Sequence, residues 1–215
     1  MNRAIASDVR VALKYLDAKL TVIRAGFVAE INEKPPEVAT LTEAAFLREA
    51  AWVVLSAGMR EAVIRRKFEG VSCAFYNWES ASLIRDCAEQ CEAAAAVHFG
   101  NAAKLRAITT IARHIAESGF DRFKTDLRER PIESLGRLPF MGPATTRHLA
   151  KNIGFDVVKP DRHLVRIAAA AQFSSADELC HAISSVVGDR LSVVDSVLWR
   201  YATLRPDYLE AFRES

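Results

Sequence analysis

The sequence predicts an all-α fold, and three features of its pattern support that prediction. Apolar residues recur at intervals of three and four, the period of a helix with one buried face. The alternation of apolar and polar residues that is typical of half-buried strands is nearly absent. Glycine, proline, asparagine and serine separate short helical segments, and no repeat of fixed period is found. We therefore expect a globular assembly of short helices rather than a coiled coil.

The elements follow in order from these patterns. The apolar face of the first helix comprises Val11, Tyr15, Leu16 and Leu20. The apolar face of the second helix comprises Phe46, Leu47, Ala50, Val53 and Val54. The segment 32–40, which contains Pro35 and Pro36, separates the two helices. Thr42 followed by Glu43 predicts that the second helix begins there. We expect nine further helices, about eleven in all, at about 60–69, 79–90, 102–117, 121–129, 131–137, 144–153, 162–171, 175–187 and 190–204.

Length and composition exclude several classes of protein. The chain has 215 residues, half of them apolar and 26% charged, which excludes collagen and intrinsic disorder. The longest apolar run, 50–59, is half the length of a membrane span. The first ten residues carry charge where a secretory signal needs its apolar run, so we expect a cytoplasmic protein without membrane contact.

The four cysteines predict neither a metal site nor a disulfide framework. They stand at positions 73, 87, 91 and 180, with no C-x-x-C pair and no grouping with histidine that suits a metal. Cys87 and Cys91 are four residues apart on one predicted helix, where small buried side chains in a reducing compartment explain them. We assign no metal ligand and no redox chemistry to the cysteines.

Positive charge is concentrated in one window of thirty residues. The net charge is +2, but residues 137–166 hold six basic and two acidic side chains. The other 185 residues hold 23 basic and 25 acidic ones. A local excess of this kind is typical of a polyanion-binding surface, although a solvated helix face has the same composition.

The same window predicts a tight hairpin between two short helices. The hairpin spans 138–143 and precedes a helix that begins near Pro143. The amides of Gly142, Ala144 and Thr145 would then be free at that helix start, with the helix dipole behind them. Such amides form a site for a phosphate, and Arg147 on the same helix adds positive charge. The contact would be made to a nucleic-acid backbone, not to its sequence.

These residues resemble the helix-hairpin-helix DNA glycosylase superfamily, in its endonuclease III-like form. The family has a hairpin of the type L-P-G-x-G and, after a helix, a loop that ends in an essential aspartate. Here the hairpin is L-P-F-M-G at 138–142, and V-V-K-P-D at 157–161 ends in Asp161, nineteen residues after Gly142. The stretches A-W-V-V-L-S-A-G-M at 51–59 and G-N-A-A-K-L-R-A-I at 100–108 resemble two further family segments. The resemblance covers about residues 41–171.

The resemblance implies base excision from double-stranded DNA that carries a damaged or modified base. The enzyme flips the nucleotide out of the stack and cleaves its N-glycosidic bond, and a carboxylate stabilises the positive sugar. Asp161 takes that catalytic position, although an aspartate there also suits a helix N-cap. The positions that the resemblance places on DNA are Pro139, Phe140, Gly142, Ala144, Thr145, Arg147, Lys159 and Arg162.

The resemblance also implies a monofunctional enzyme without a cofactor. Family members with lyase activity carry a lysine where this chain has Ala144, and alanine cannot form a Schiff base. Two explanations remain open for Lys151 and Lys159. Either lysine could supply the amine for lyase activity on oxidised purines, or both are ordinary solvated side chains. Only Cys180 follows Asp161, so no iron–sulfur cluster is expected. A monovalent cation at the hairpin is the one ion that the resemblance allows.

Two departures from the family pattern affect the predicted DNA contacts. Phe140 replaces the first hairpin glycine, and it would be strained if that position requires a positive φ. Gly58 stands where several members carry a glutamine that fills the space of the flipped base. Met59 or Arg60 would then be the wedge.

The predicted base pocket consists of aromatic residues, and burial in the core is the alternative explanation for each of them. The first candidates to stack on the base are Trp52 and Trp78. His163 and Arg166 lie one turn apart on the helix that follows Asp161. Each could contact a phosphate or support the loop, and we expect the structural role for His163.

Two α-helical lobes with a cleft between them follow from the resemblance. One lobe would span 41–157 with the helix-hairpin-helix at about 131–153, and the other would combine 1–40 with 158–215. We expect a monomer that hydrolyses the N-glycosidic bond of a damaged or modified base, with an alkylated base as the first candidate substrate. The alternative function is a non-catalytic helix-hairpin-helix protein that binds distorted or modified DNA. The charged N-terminal helix has no functional explanation at this level.

Overall fold

The computed structural model describes residues 2–32 and 37–213, and all of their regular structure is helical. The predicted all-α class is therefore confirmed. No strand occurs in these ranges. Within them, no helix combines the length and the apolar composition that crossing a membrane requires.

The described ranges contain fourteen α-helices and two short 3₁₀ turns. The α-helices are α1 Asn2–Arg24, α2 Val28–Asn32, α3 Glu43–Ser56, α4 Glu61–Ala74, α5 Ala81–Asp86, α6 Ala88–Ala96, α7 Ala102–Ser118, α8 Phe120–Glu129, α9 Pro131–Gly136, α10 Pro143–Asn152, α11 Arg162–Ala170, α12 Ala176–Val187, α13 Leu191–Leu204 and α14 Tyr208–Phe212. The 3₁₀ turns are Val38–Thr40 and Tyr76–Trp78.

The observed helices differ from the predicted eleven at identifiable places. The helix predicted at 79–90 is two helices, α5 and α6, because the backbone of Cys87 leaves helical geometry at φ −109° and ψ 26°. The helices α2 and α14 were not predicted, since five residues are too few to show a helical period. The predicted break at Pro35 and Pro36 lies outside the described residues.

The chain divides into two compact units. One unit comprises Met1–Lys34 and Asp156–Ser215, and the other comprises Pro35–Phe155. We call them the terminal unit and the central unit. The sequence predicts domain boundaries at 41 and 157, and that these units are the predicted domains stays a prediction.

The central unit is built around α3 and α7, which pack against each other. Thr42 caps α3 by accepting a hydrogen bond from the amide of Ala45 at 3.2 Å, as its position predicts. Asn101 caps α7 in the same way. The ring of Phe46 on α3 lies 4.8 Å from that of Phe123 on α8, in the core. This packing fixes the last turns of α3 and the first turns of α7, which belong to the predicted site segments 51–59 and 100–108.

The terminal unit has its own core, formed by α1, α12 and α13. The first helix buries Val11, Tyr15 and Val22 in it. Leu16 and Leu20, predicted on the same face, are instead exposed. The prediction for these two leucines is wrong because α1 carries two apolar stripes, and only one of them packs on the core.

Candidate functional site

The hairpin of the central unit is anchored by buried side chains on either side of its tip. Leu138 and Met141 are buried, and the amide of Met141 donates to the Leu138 carbonyl at 3.3 Å. Leu135 on α9 and Leu149 on α10 are also buried, and the two helices pack against each other. The short turn between them is thereby held in place, with Pro139 half-buried beside the tip.

Phe140 occupies the tip in a conformation that favours glycine. Its φ is +62°, and its side chain is 45% exposed. A non-glycine residue in the left-handed region costs on the order of 1 kcal/mol, and an exposed ring regains little of that by burial. The strain expected for Phe140 is therefore present, and folding alone does not account for a phenylalanine here.

The start of α10 leaves backbone amides without partners. Gly142 is the N-cap residue and offers no side chain to them. In the described part of the chain, the amides of Gly142, Ala144 and Thr145 donate no hydrogen bond. Pro143 has no amide hydrogen. The predicted arrangement of free amides at a helix start is thus observed in the backbone.

The hairpin carbonyls, in contrast, are hydrogen-bonded by hydroxyl groups of α10. The Thr145 hydroxyl lies 2.9 Å from the Phe140 carbonyl oxygen and 3.0 Å from that of Gly142. The Thr146 hydroxyl donates to the Met141 carbonyl at 3.2 Å. These bonds fix the turn through its carbonyl groups and do not use its amides.

The helix α10 ends in a motif that also ends the central unit. Gly154 has φ +108°, its amide donates to Lys151, and the Phe155 amide donates to Ala150 at 3.0 Å. This pattern is a Schellman C-cap, in which glycine is favoured because it tolerates positive φ. Arg147 lies half-buried along the same helix.

Asp161 stands in the terminal unit as the N-cap of α11. Its Oδ1 accepts hydrogen bonds from the amides of His163 at 2.8 Å and Leu164 at 3.0 Å. Over residues 2–32 and 37–213, Oδ2 receives no hydrogen bond. The capping role is therefore observed, and it uses one oxygen of a half-buried carboxylate.

A buried carboxylate on α13 supports the loop before Asp161. Asp195 is 2% exposed, and its Oδ2 accepts the amide of Lys159 at 3.0 Å. The amide of Asp161 in turn donates to the Lys159 carbonyl at 2.7 Å. The backbone around Pro160 is thus tied to α13, which restricts where Asp161 can move.

A second carboxylate, Asp156, joins the start of the same loop to α13. It accepts the amide and the hydroxyl of Ser192 at 2.9 and 2.8 Å, and the amide of Leu191 at 3.3 Å. Partial burial raises the pKa of Asp156, but the hydrogen bonds from Ser192 outweigh it and hold the pKa below the ordinary value of 3.8. The loop is therefore fixed at both ends.

The residues that follow Asp161 divide between solvent and structure. Arg162 is exposed. His163 Nδ1 lies 3.2 Å from the hydroxyl of Tyr208, and the two rings meet edge to face at 5.5 Å. This contact agrees with the structural role predicted for His163, because it ties α11 to α14.

The two tryptophans of the predicted base pocket have different environments. Trp78 is 2% exposed, stacks on Phe75 at 5.2 Å and donates from its indole nitrogen to Ser72. Trp52 is half-buried, with the Arg65 guanidinium 5.8 Å from its ring centroid. Burial leaves Trp78 no surface for a base, so Trp52 is the better candidate of the two.

The predicted wedge residues lie in the exposed loop between α3 and α4. Gly58 has φ +70°, so a glutamine at this position would be strained. Met59 is 40% exposed and Arg60 is also exposed. The loop geometry therefore explains the glycine and leaves Met59 and Arg60 as the side chains that project.

A buried lysine holds that loop. Lys104 on α7 is 5% exposed, and its Nζ donates to the carbonyls of Leu55 at 2.7 Å and Ala57 at 2.6 Å. These carbonyls belong to the last turn of α3, where helical partners are missing. Burial lowers the pKa of Lys104.

Sequence reasoning missed three supporting residues, namely Lys104, Asp156 and Asp195. A signal exists for two of them, because Lys104 and Asp195 are charged residues on otherwise apolar helix faces. A charge on such a face indicates a buried polar contact. Asp156 shows no comparable signal, since its partner lies 36 residues away.

Within the described ranges, no group of three or more His, Cys, Asp or Glu side chains is arranged to hold a metal. The geometry instead provides bare amides at one helix start and a fixed carboxylate at another. The first suits an anion such as a phosphate, and the second suits a developing cation. No family model, no curated protein and no solved structure matches this chain.

Proposed function

We propose that the protein is a monofunctional DNA glycosylase of the helix-hairpin-helix superfamily, with two helical lobes and a cytoplasmic location. One observation carries the proposal. Asp161 keeps one carboxylate oxygen in the N-cap of α11. Its other oxygen, and the amides of Gly142, Ala144 and Thr145 at a hairpin nineteen residues earlier, have no hydrogen-bond partner among the described residues. The anchored oxygen orients the carboxylate, and the other oxygen is available to the reacting sugar.

The reaction is hydrolysis of the N-glycosidic bond of a flipped nucleotide. The C1′–N bond breaks with both electrons leaving on the base, and positive charge develops on the sugar. The Asp161 carboxylate stabilises that charge and orients a water molecule, whose oxygen bonds to C1′ while one of its protons passes to the carboxylate. An alkylated base is the first substrate class, because positive charge on the base makes it a good leaving group.

The hairpin provides the backbone contact in this proposal. The amides of Gly142, Ala144 and Thr145 bind a phosphate, and Arg147 adds a positive charge nearby. The Phe140 ring contacts the sugar or the base edges. The carbonyls of Phe140 and Met141 fit a monovalent cation, because each has one threonine hydroxyl within hydrogen-bond distance and retains a second lone pair. Such a cation would strengthen phosphate binding by its charge.

Lyase chemistry is not part of the proposal, since Ala144 replaces the lysine that lyases of this family use. Borohydride trapping on DNA with an oxidised purine tests the alternative amines Lys151 and Lys159. We expect no covalent adduct with the wild type. An adduct that is lost in Lys151→Met or Lys159→Met would contradict the monofunctional assignment.

The direct test is excision from defined duplexes. Oligonucleotides with single alkylated, oxidised, deaminated or hypermodified bases are incubated with the wild type or with Asp161→Asn, and abasic sites are scored by alkali cleavage. We expect cleavage of at least one substrate by the wild type and none by the variant. Equal cleavage by both proteins would exclude Asp161 as the catalytic carboxylate.

A second candidate function is binding of distorted or modified DNA without catalysis. The strained and exposed Phe140 favours it, because that residue implies DNA contact and no chemistry. In the same assay a pure binding protein retains the damaged duplex in gel shifts and releases no base from any substrate. Asp161→Asn would then bind as tightly as the wild type.

A further inference from the structure

The first helix exposes an apolar stripe on a side that does not pack on the core. Its five most exposed members are Ile5, Val9, Leu13, Leu16 and Leu20. Their side chains are between 41% and 60% exposed, while Val11, Tyr15 and Val22 of the same helix are buried. Ile23, near the end of the helix, is half-buried and packs against the core, so the stripe ends at Leu20. A helix that packs on one side only does not need these residues.

The spacing of the stripe is that of a helix-pairing seam. Val9, Leu13, Leu16 and Leu20 follow one another at intervals of four, three and four residues. This alternation keeps successive side chains along one line that a second helix can follow. From position 9 to position 20 the seam is about 17 Å long, at 1.5 Å per residue.

We propose that this stripe, named the α1 seam and comprising Val9, Leu13, Leu16 and Leu20, binds the α1 seam of a second copy in an antiparallel dimer. The inference is independent of the proposed function. In the register with the longest overlap, Leu13 packs on Leu16 of the other copy and Val9 packs on Leu20. A two-fold axis repeats both pairs, which is the usual symmetry of a homodimer.

Charge along the seam favours the antiparallel arrangement. In it, Asp17 of each copy lies beside Arg10 of the other, which gives two contacts between opposite charges. Parallel pairing instead brings Arg24 beside Lys19 of the other copy and creates no contact between opposite charges. The sequence of flanking residues therefore selects both the orientation and the register.

The exposed area agrees with a weak, reversible dimer. The apolar stripe exposes on the order of 400 Å² per copy, at the upper end of what monomers usually leave uncovered. With the flanking polar side chains, the interface would bury on the order of 1,200 Å² in total, the lower end for specific interfaces. We expect a dissociation constant on the order of 10 μM.

Sedimentation of the full-length protein tests the dimer. The wild type is expected to shift from monomer to dimer between about 1 and 100 μM, and Leu13→Glu to stay monomeric over the same range. The control is Val97→Glu, a change of the same kind at an 83% exposed position of the central unit, which should dimerise like the wild type. Helical content by circular dichroism verifies that each variant is folded.

Charge exchange tests the register separately. Asp17→Arg should weaken the dimer about tenfold, and combining it with Arg10→Glu should restore the wild-type constant. A wild type that is monomeric at every concentration, or a dimer that Leu13→Glu leaves intact, would overturn the proposal. Failure of the double variant to restore the affinity that Asp17→Arg loses would overturn the antiparallel register.

Discussion

The hairpin before α10 and the loop before α11 differ in how the amides at the following helix start are hydrogen-bonded. Each leads into a helix whose first amides lack helical acceptors. At α11 the carboxylate of Asp161 accepts two of them, whereas at α10 Gly142 has no side chain and the amides remain bare. One helix start is satisfied by the protein and the other is available to an anion from outside. The difference is the reason why the proposed function assigns a phosphate to the start of α10.

The largest expected effect separates capping from catalysis at Asp161. Asparagine caps helices about as well as aspartate, so Asp161→Asn should change the free energy of unfolding by less than about 0.5 kcal/mol. Its loss of carboxylate charge should abolish excision, which alkali cleavage measures. The control is Ser175→Ala, which removes the cap of α12 in the same unit and should cost about 1 kcal/mol with excision retained.

A large effect is also expected at Lys104, which holds the loop with Met59. Lys104→Met leaves the Leu55 and Ala57 carbonyls without their donor, at a cost of about 2 kcal/mol of stability. Urea unfolding measures that loss, and excision should fall because the wedge loop loosens. Lys124→Met is the matched control, since Lys124 donates to the Ala39 and Leu41 carbonyls away from this loop. Equal loss of excision in both variants would contradict a local role for Lys104.

The comparison itself is tested by adding a cap to the hairpin. Gly142 has φ −73°, and a Cβ there meets only the Thr145 hydroxyl at 3.9 Å. Gly142→Asp should therefore stabilise the fold by about 0.3 kcal/mol and weaken DNA binding at least tenfold, because its carboxylate occupies the amides. Gly142→Ala adds the Cβ without the cap and should bind DNA like the wild type. Unchanged affinity in Gly142→Asp would show that the amides do not bind phosphate.

A smaller effect of the same kind is expected at Phe140. Phe140→Gly relieves the positive φ and should stabilise the protein by about 1 kcal/mol, while DNA affinity falls several-fold. Phe140→Ala keeps the strain and removes the ring, so it should lose affinity without gaining stability. Fluorescence anisotropy with duplex DNA and thermal unfolding provide the two measurements. If Phe140→Gly binds DNA as tightly as the wild type, the ring makes no DNA contact.

The smallest expected effect is the acid sensitivity of the Asp161 loop. The pKa of Asp156 is lowered in the folded state, so its stabilising contribution is present above 3.8 and is lost as pH falls through the folded value. Asp156→Asn should therefore lose less stability than the wild type when the pH is lowered from about 5 to about 2. Urea midpoints at fixed pH values measure the slope, and identical slopes would contradict the assignment.

The sequence predicts the fold class and the hairpin better than the supports of the site. Local signals were sufficient for Thr42 as a cap, for the bare amides at Gly142 and for the strain at Phe140. Core burial, the alternative stated for each tryptophan, is what the structure shows for Trp78. Exposure of Leu16 was not predictable, because a helical period does not say which of two apolar faces packs.

Supports that act across long sequence distances were also missed. Asp195 contacts Lys159 across 36 residues and Lys104 contacts Leu55 across 49, so no local pattern links the partners. Their charge on apolar helix faces is the one local trace of these contacts, and it does not identify the partner.

The most direct test of the central claim is release of free bases from whole DNA, without choosing a substrate in advance. Genomic DNA treated with alkylating or oxidising agents is incubated with the wild type or Asp161→Asn, and the soluble fraction is analysed by mass spectrometry. We predict that the wild type releases a modified base and that the variant releases none while binding DNA equally well. Binding by the wild type without release of any base would contradict catalysis by Asp161 and support a binding protein.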